Sequence, residues 1–345
     1  MEETIKGFQQ WICVLALSAL LSGCEYYQTD SESNTDLNIF ASSQTQYFST
    51  SALTPIPDKH NEPLALATLG EQLFNDTTLS SNQSISCASC HRIDQGGDDN
   101  RATSVGIHGQ IGEVNAPTVL NAALNFRQFW DGRADTLQEQ ARFPVENPIE
   151  MASRWPDVIE RLRQNPDYQR QFNALFDDGI TVNNVTAAIA SFERTLLTPD
   201  SPFDRFLNGD NTALSDQAHR GYQRFRELGC VSCHQGINIG GNMYQYLGVM
   251  RDYFTDKREL RDIDLGLYNH TGRELDRYKF KVPSLRNVAE TAPYFHDGSA
   301  TTLREAIIVM GRYQLGIELT TEDQELLLAF LASLSAPPLT LAKSP

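Results

Sequence analysis

Two short motifs pair cysteines with a histidine at a spacing that can hold a porphyrin. They span residues 87–91 (CASCH) and 230–234 (CVSCH). Two thiols three residues apart can reach the two vinyl groups of one porphyrin, and the adjoining histidine then coordinates iron from the same face. A redox dithiol or half of a zinc site is the alternative for either motif alone, but two motifs in one exported chain favour two covalent c-type haems. The residues predicted to hold haem are Cys87, Cys90, Cys230 and Cys233, with His91 and His234 as iron ligands.

A repeated pattern follows each motif. Three pairs of segments match at one offset of 166 residues (283 − 117 = 166), which chance similarity would not maintain. This repeat predicts a duplicated haem module, with domains at residues 54–200 and 201–345. The matching pairs are Pro117–Asn121 with Pro283–Asn287, Phe129–Gly132 with Phe295–Gly298, and Thr136-Leu137 with Thr302-Leu303.

The sixth iron ligand decides whether a haem carries electrons or binds a small oxidant. Met310 lies in the second repeat, on the helix predicted to begin near Thr302, whereas the equivalent position of the first repeat is Pro144 (310 − 166 = 144). A thioether ligand raises haem potential, so this difference predicts an asymmetric pair with a high-potential haem at His234 and Met310. An ordinary core methionine is the alternative.

Further polar and aromatic residues cluster in the first module. His108 follows a glycine-rich polar loop that could bring it to the first iron and remove it again. Glu150 is a candidate acid-base group, since a buried carboxylate can move a proton between two peroxide oxygens. Residue type alone does not distinguish it from the other acidic residues. Trp130 could couple the two haems, or it could be a buried structural tryptophan.

The elements that must position these residues are predicted to be mainly helices joined by long loops. Ser215 is a typical N-cap for a helix that reaches Leu228, just before the second motif. Thr136 and Thr302 each precede a glutamate by three residues, the pattern of a capping box. Residues 184–197 carry an apolar stripe with helical spacing, and no run of alternating strands is present.

The N-terminus is predicted to be an export signal of the lipoprotein type (residues 1–23). Its apolar run at residues 11–22 is too short to span a bilayer comfortably. The end of this run, together with Gly23 and Cys24, resembles a lipoprotein box. Residues 24–53 are mostly polar and are predicted to be a flexible tether. A plain secretory signal and a retained anchor are the alternatives. The expected location is the periplasm, with a lipid on Cys24 and the outer membrane as its site.

The charge balance is strongly acidic. There are 44 aspartates and glutamates against 28 lysines and arginines, giving a formal net charge of −16. Such a chain repels phosphate backbones, so nucleic-acid binding is disfavoured. The charge permits a basic electron donor but does not identify one.

These motifs resemble the bacterial di-haem cytochrome c peroxidase family, over about residues 55–335. The resemblance implies two cytochrome c-like haem domains and the reduction of hydrogen peroxide with electrons from a small cytochrome c or copper protein. A homodimer is compatible with it. The resemblance rests on both haem motifs and on the segments Ser104–His108, Asn115–Thr118, Phe129–Arg133, Asn147–Met151, Lys281–Asn287 and Ala292–Gly298.

The resemblance also implies a role for individual positions. The first haem would be the peroxidatic one, with His108 as a distal ligand that is released when the second haem is reduced. Gln140 and Glu150 would line the peroxide pocket, Trp130 would lie between the haems, and Met310 would bind the second iron. A calcium ion would be held by the side chain of Asn115 and the carbonyls of Thr291 and Pro293, an all-oxygen set that suits calcium.

Two other functions remain open at this point. A related branch, of the methylamine-utilisation type, oxidises tryptophans on a partner protein. That branch typically carries tyrosine where this chain has Met310 and lacks a ligand of the His108 type, so both positions favour the peroxidase. The second rival is a non-enzymatic di-haem electron carrier, in which both irons stay six-coordinate.

Overall fold

The computed structural model describes residues 53–341, and helices dominate this part of the chain. The prediction of a mainly α fold is confirmed. No helix of the described residues is both long and apolar enough to cross a membrane. The α-helices of residues 53–341 are α1 Leu64–Asn75, α2 Leu137–Gln140, α3 Phe143–Glu146, α4 Trp155–Arg163, α5 Pro166–Leu175, α6 Val182–Thr195, α7 Pro202–Leu207, α8 Asp216–Glu227, α9 Tyr268–Thr271, α10 Leu303–Val309 and α11 Thr321–Ala332.

The described residues form one small sheet. Strands β1 (Tyr244–Tyr246) and β2 (Lys279–Lys281) pair antiparallel, with Tyr244 opposite Lys281. Aromatic side chains supply the apolar packing of this sheet, and Phe280 on β2 is 7% exposed. The sheet also holds the second half of the chain against the segment before α2, because the N–H of Lys281 donates to the carbonyl of Trp130 at 2.9 Å.

The first hydrophobic core is built on the crossing of α1 and α6. The predicted stripe on α6 is buried, since Val185, Ile189, Phe192 and Leu196 are each at most 3% exposed. The helices approach so closely at Gly70 that a Cβ there would lie 1.9 Å from the carbonyl oxygen of Ala188. Only glycine permits that crossing.

The second core repeats this construction with α8 and α11. Ser215 caps α8 by accepting a hydrogen bond from the N–H of Ala218, as predicted, and the helix ends at Glu227. A Cβ at Gly221 would lie 2.0 Å from the carbonyl oxygen of Leu326 on α11. The second cysteine motif begins three residues after α8 ends, so the tight packing of α8 on α11 fixes its position.

Several backbone features recur at a spacing of 166 residues (287 − 121 = 166). Asn121 and Asn287 both have a φ of 58°, and Phe129 and Phe295 both have a φ of 69°. Thr302 forms the predicted capping box with Glu305. The counterpart of that box in α2 differs slightly: the Thr136 side chain caps Glu139, but the Glu139 carboxylate accepts from the N–H of Asp135 at 2.7 Å. The predicted domain boundary at residue 200 stays a prediction.

A buried chain of hydrogen bonds joins Asn121 and Asn287. The Asn121 amide donates to the Thr198 hydroxyl at 2.7 Å, and that hydroxyl donates to Asn287 Oδ1 at 2.8 Å. All three residues are at most 3% exposed. Equivalent positions of the two repeats therefore meet at a single hydroxyl.

A buried ion pair fixes the segment between the cores. Arg286 Nη1 lies 2.7 Å from Asp204 Oδ1, and the two side chains are 0% and 1% exposed. Arg286 also donates to the carbonyls of Thr54 and Ile237. Because removing one partner leaves a buried charge without compensation, we expect Arg286→Met to lower the free energy of unfolding by about 3–5 kcal/mol.

Chemical denaturation of the purified protein measures this loss. Arg154→Met is the matched control, since Arg154 pairs with Asp157 at the surface, where the side chains are 77% and 46% exposed. Surface pairs contribute little, so the control is expected to unfold like the unchanged protein. Equal midpoints for both variants would show that the Arg286 pair is not needed for stability.

Candidate functional site

The first cysteine motif forms one short 3₁₀ turn, Cys87–Ser89. His91 Nδ1 lies 3.1 Å from the carbonyl oxygen of Gly97, which leaves Nε2 as the free ring nitrogen. Burial lowers the pKa of His91, while the hydrogen bond to Gly97 raises it. A neutral imidazole that donates from one nitrogen and offers the other is the usual state of a metal ligand.

The second motif has the same construction. Its 3₁₀ turn is Cys230–Ser232, and His234 Nδ1 lies 3.3 Å from the carbonyl oxygen of Ile239. Burial lowers the pKa of His234 to about 4, so this imidazole is neutral at physiological pH. Burial also raises the pKa of the Cys230 thiol to about 11 and that of Cys87 to about 12. In each motif the first cysteine, Cys87 or Cys230, is thus a protonated thiol near a neutral imidazole.

A cavity of about 530 Å³ adjoins the second motif. Both thiols, His234 and Met310 line it, and its remaining walls are largely apolar. Two thiols, an imidazole and a thioether around one apolar space fit a covalently attached haem with histidine and methionine ligands. Its volume is typical of a site for a cofactor-sized molecule.

Met310 stands at a change of helix type. Helix α10 ends at Val309, and Met310–Leu315 continue as a π-helical turn. Such turns occur frequently at functional sites, because they change the direction of a side chain within a helix. Met310 faces the cavity rather than the apolar core described for the second half. The interpretation as an ordinary core methionine is therefore less favoured than the interpretation as a ligand.

Trp130 is held on the wall of the same cavity. Its indole Nε1 donates to the carbonyl of Asn115 at 2.9 Å, and its own carbonyl accepts from Lys281. Trp130 belongs to the first half of the chain, so its indole lies where residues of both halves meet around the second motif.

The three predicted calcium ligands also reach this cavity. Asn115, Thr291 and Pro293 all line it. The Asn115 amide donates to the carbonyl of Arg101 at 2.8 Å, which leaves Asn115 Oδ1 as an acceptor. The ligand atoms that these three residues would offer to a metal ion are all oxygens, which suits calcium. The ion itself stays a prediction.

Glu150 lies beside the first motif. Its Oε1 accepts from the Asn147 amide at 2.5 Å. Burial raises the pKa of Glu150, while the Asn147 hydrogen bond and the charge of Arg133 lower it. Burial is the main cause of the raised pKa values of Cys87 and Cys90, and the charge of Glu150 adds to both, so its carboxylate lies near the first motif.

Gln140 and His108 are placed differently from each other. Gln140 is half-buried at the end of α2. His108 is exposed at the tip of a loop, with a φ of 55°. That loop rests on the predicted acid-base residue, because the N–H of Ile107 donates to the carbonyl of Glu150 at 2.8 Å. Iron ligation by His108 stays a prediction.

A buried ion network beside the cavity was not foreseen from the sequence. The Nε2–H of His296, the counterpart of Trp130, donates to Asp264 Oδ1 at 2.7 Å. Lys257 Nζ lies 2.5 Å from Asp264 Oδ1 and 2.7 Å from Asp297 Oδ2. Lys257 therefore balances one of the two negative charges, and Arg261 Nη2 lies 4.0 Å from Asp297 Oδ2. The two carboxylates and His296 are also close enough together to hold a metal ion.

Glu193 is a second buried acid near the first motif that sequence reasoning missed. It is 5% exposed on α6, and its Oε2 has no hydrogen-bond partner among the described residues. Burial raises the pKa of Glu193 to about 8. Its burial could have been predicted from the sequence, because Glu193 lies four residues after Ile189 and so on the same apolar stripe of α6.

The raised pKa of Glu193 predicts a pH dependence of stability. An unfolded glutamate titrates near about 4.3, so between that pH and about 8 the folded protein holds a proton that the unfolded chain lacks. The free energy of unfolding should therefore fall as pH rises through this window. Glu193→Gln should lose less stability over the same window, as measured by denaturation at several pH values. Parallel curves for the two proteins would contradict this expectation.

Comparison with known proteins gives a consistent result. A family model described as di-haem cytochrome c peroxidase matches residues 64–212. Cytochrome c peroxidase Ccp of Escherichia coli is 48% identical, over 81% of this chain and 60% of that protein. Cytochrome c551 peroxidases of Nitrosomonas europaea and Pseudomonas aeruginosa are 45% and 43% identical, over 84% and 80% of their lengths and 82% and 81% of this chain.

Solved structures extend the comparison to the fold. A MauG-like protein associated with microbial copper homeostasis superposes with a TM-score of 0.72 at 29% identity, covering 85% of this chain and 95% of that one. The di-haem peroxidase BthA of Burkholderia thailandensis superposes with a TM-score of 0.66 at 21% identity, covering 82% of this chain and 90% of that one. The second likeness concerns the fold alone.

Proposed function

We propose that this chain, which belongs to the di-haem cytochrome c peroxidase family, reduces hydrogen peroxide to water with electrons from a small redox protein. Membership follows from relatives that are 43–48% identical over most of the chain, although the chain spans only 60% of the Escherichia coli relative. Family membership implies two c-type haems. The observation that carries the proposal is the asymmetry of two alike motifs: the second shares a cavity with Met310, whereas the first has the charge of Glu150 nearby.

When bound at the two motifs, haem supplies redox-active iron for cleavage of the peroxide O–O bond. The residues of the chain supply the proton transfer. Glu150 takes the proton from one peroxide oxygen and delivers it to the other, and two electrons and two further protons complete the conversion to two waters. Its half-buried position and its hydrogen bond from Asn147 hold the carboxylate in one orientation. Gln140 orients the peroxide through its amide.

Electrons enter at the second motif and pass Trp130. A thioether ligand raises haem potential, so Met310 makes the second motif the better acceptor from a donor. The indole of Trp130 donates to the Asn115 carbonyl, and the Trp130 carbonyl accepts from the N–H of Lys281, which fixes an aromatic group between the halves. A small cytochrome c or a copper protein fits as donor, and the acidic charge of the chain favours one with a basic surface.

His108 is the proposed displaceable ligand of the first motif. It is carried on an exposed loop that is tied to the backbone of Glu150 through Ile107. Such a loop can change position without disturbing the cores. Calcium is proposed at Asn115, Thr291 and Pro293, where it would join the two halves of the chain.

The repeated backbone features support an internal duplication. The equal φ values at Asn121 and Asn287 and the two threonine caps recur at the offset of 166 residues. Each half also has a close helix crossing at a glycine, Gly70 in the first and Gly221 in the second. Two cytochrome c-like domains at residues 54–200 and 201–345 would follow from it. Whether the protein forms a homodimer stays a prediction.

The proposed location is the periplasm. The signal at residues 1–23, the lipid on Cys24 and most of the tether at residues 24–53 lie outside the described residues. An outer-membrane lipoprotein is the proposal that the apolar run ending at Cys24 supports. Labelling of the expressed protein with a radioactive fatty acid tests it, with Cys24→Ser as the control.

A redox titration with peroxide tests the proposed function. The half-reduced protein is expected to show one five-coordinate iron that reacts with peroxide and binds cyanide. A diferric protein that forms a stable high-valent state without prior reduction would instead support the tryptophan-modifying oxidase. Six-coordinate iron at every stage would support the electron carrier.

A further inference from the structure

Lys281 is a buried cation without a counter-ion among residues 53–341. It is 5% exposed on β2, and burial is the only influence on its pKa, which is lowered to about 8. No hydrogen bond or ion pair of its ammonium group is found within the described part of the chain. Lysine is almost never buried in this way unless it is paired, because the charged form loses its hydration.

The half-buried Lys257 and the buried Arg286 both have partners among the described residues. Lys257 contacts Asp264 and Asp297 at 2.5 and 2.7 Å, and Arg286 contacts Asp204 at 2.7 Å. Lys281 differs from them in facing the cavity of the second motif. The partner of Lys281 is therefore to be sought inside that cavity.

The cavity walls contain no anion. Lys281 is the only lysine or arginine among the described residues that line the cavity, and none of them is an aspartate or glutamate. A porphyrin attached at Cys230 and Cys233 brings two propionate carboxylates into the same space. The register of β2 against β1 and the hydrogen bond from Lys281 N–H to Trp130 hold the lysine in place.

We infer that Lys281 donates a charge-assisted hydrogen bond to a propionate of the haem held by Cys230 and Cys233, and that it thereby raises the reduction potential of this haem. This inference rests on the haem attachment in the proposed function. Pairing neutralises one negative charge near the iron, and reduction adds an electron there, so the reduced state is stabilised. Lys281 is a positioning residue, since it acts through the porphyrin.

Spectroelectrochemical titration of Lys281→Met measures the effect on the loaded protein. We expect the equilibrium constant for reduction of the second haem to fall at least tenfold, which is about 59 mV for a one-electron couple. Lys281→Arg keeps the charge and should restore most of the potential. Lys279→Met is the matched control on the same strand, because Lys279 Nζ already pairs with Asp276 at 3.1 Å. In this variant the second haem should have the same reduction potential as in the unchanged protein.

Haem content is measured first, by mass and by absorbance, so that loss of haem or of folding is distinguished from loss of the ion pair. A fall no larger than that of the Lys279 control would overturn the inference. A crystal structure of the loaded, unchanged protein is the second measurement: Lys281 Nζ should lie within 3.2 Å of a propionate oxygen. A chloride, a water or a protein carbonyl in that position would equally overturn it. Both measurements are independent of peroxide turnover, so they can fail while the proposed function holds.

Discussion

Glu150→Gln is expected to lower kcat for peroxide reduction by about 10²–10⁴-fold, the range over which a positioned acid-base group contributes. Glutamine retains the shape of the side chain and can accept the hydrogen bond from Asn147, but it cannot take up a proton. The rate of the unchanged enzyme should fall in acid as Glu150 becomes protonated, through a pKa that burial raises. The variant should lack this acid limb. Stopped-flow assays with reduced donor measure both effects.

Glu146→Gln is the control for this substitution. Glu146 lies on α3, four residues earlier, and is exposed to solvent. We expect it to retain full turnover. If Glu150→Gln turned over as fast as this control, with an unchanged pH profile, the proton would have to move through another group, and Glu193 would become the next candidate.

Met310→His is expected to lower the reduction potential of the second haem by on the order of 0.2 V, within the span of about 0.8 V that axial ligands cover. Imidazole replaces the thioether and removes the stabilisation of the reduced iron. A change of this size reduces the equilibrium constant for reduction by about 10³-fold, at about 59 mV for each factor of ten. Electron transfer from the donor should therefore become the slow step.

Potentiometric titration and the absorbance band of thioether-ligated haem measure this change. Met250→Leu is the control, because Met250 is 65% exposed and lies outside the cavity lining. Retention of the high potential in Met310→His would mean that another group ligates the second iron, and the interpretation of Met310 as a core residue would return.

The local features of the fold follow from short stretches of sequence. The cap at Ser215, the apolar stripe of α6 and the box at Thr302 each depend on residues within a few positions, so they could be predicted. Both haem motifs are local in the same sense. Met310 could be predicted as a ligand because the repeat places Pro144 at the equivalent position of the first half, which therefore has no thioether there.

The features that escaped prediction depend on contacts between distant segments. Lys281 looks like an ordinary strand lysine until Trp130 and the cavity are placed around it. Glu193 lies on the predicted stripe of α6, but that its Oε2 has no partner among the described residues follows only from the packing of this helix on α1. The exposure of His108 results from the loop folding onto Glu150, which no local pattern encodes.

The hydroxyl of Thr198 has a consequence for how far the two repeats can be equivalent. A hydroxyl has one hydrogen to give, and here it gives it to Asn287 while receiving one from Asn121. The two matching asparagines must therefore face the junction with opposite ends of their amides. One shared proton donor thus makes the two matching asparagines inequivalent in their hydrogen bonds, although their backbone conformations are the same.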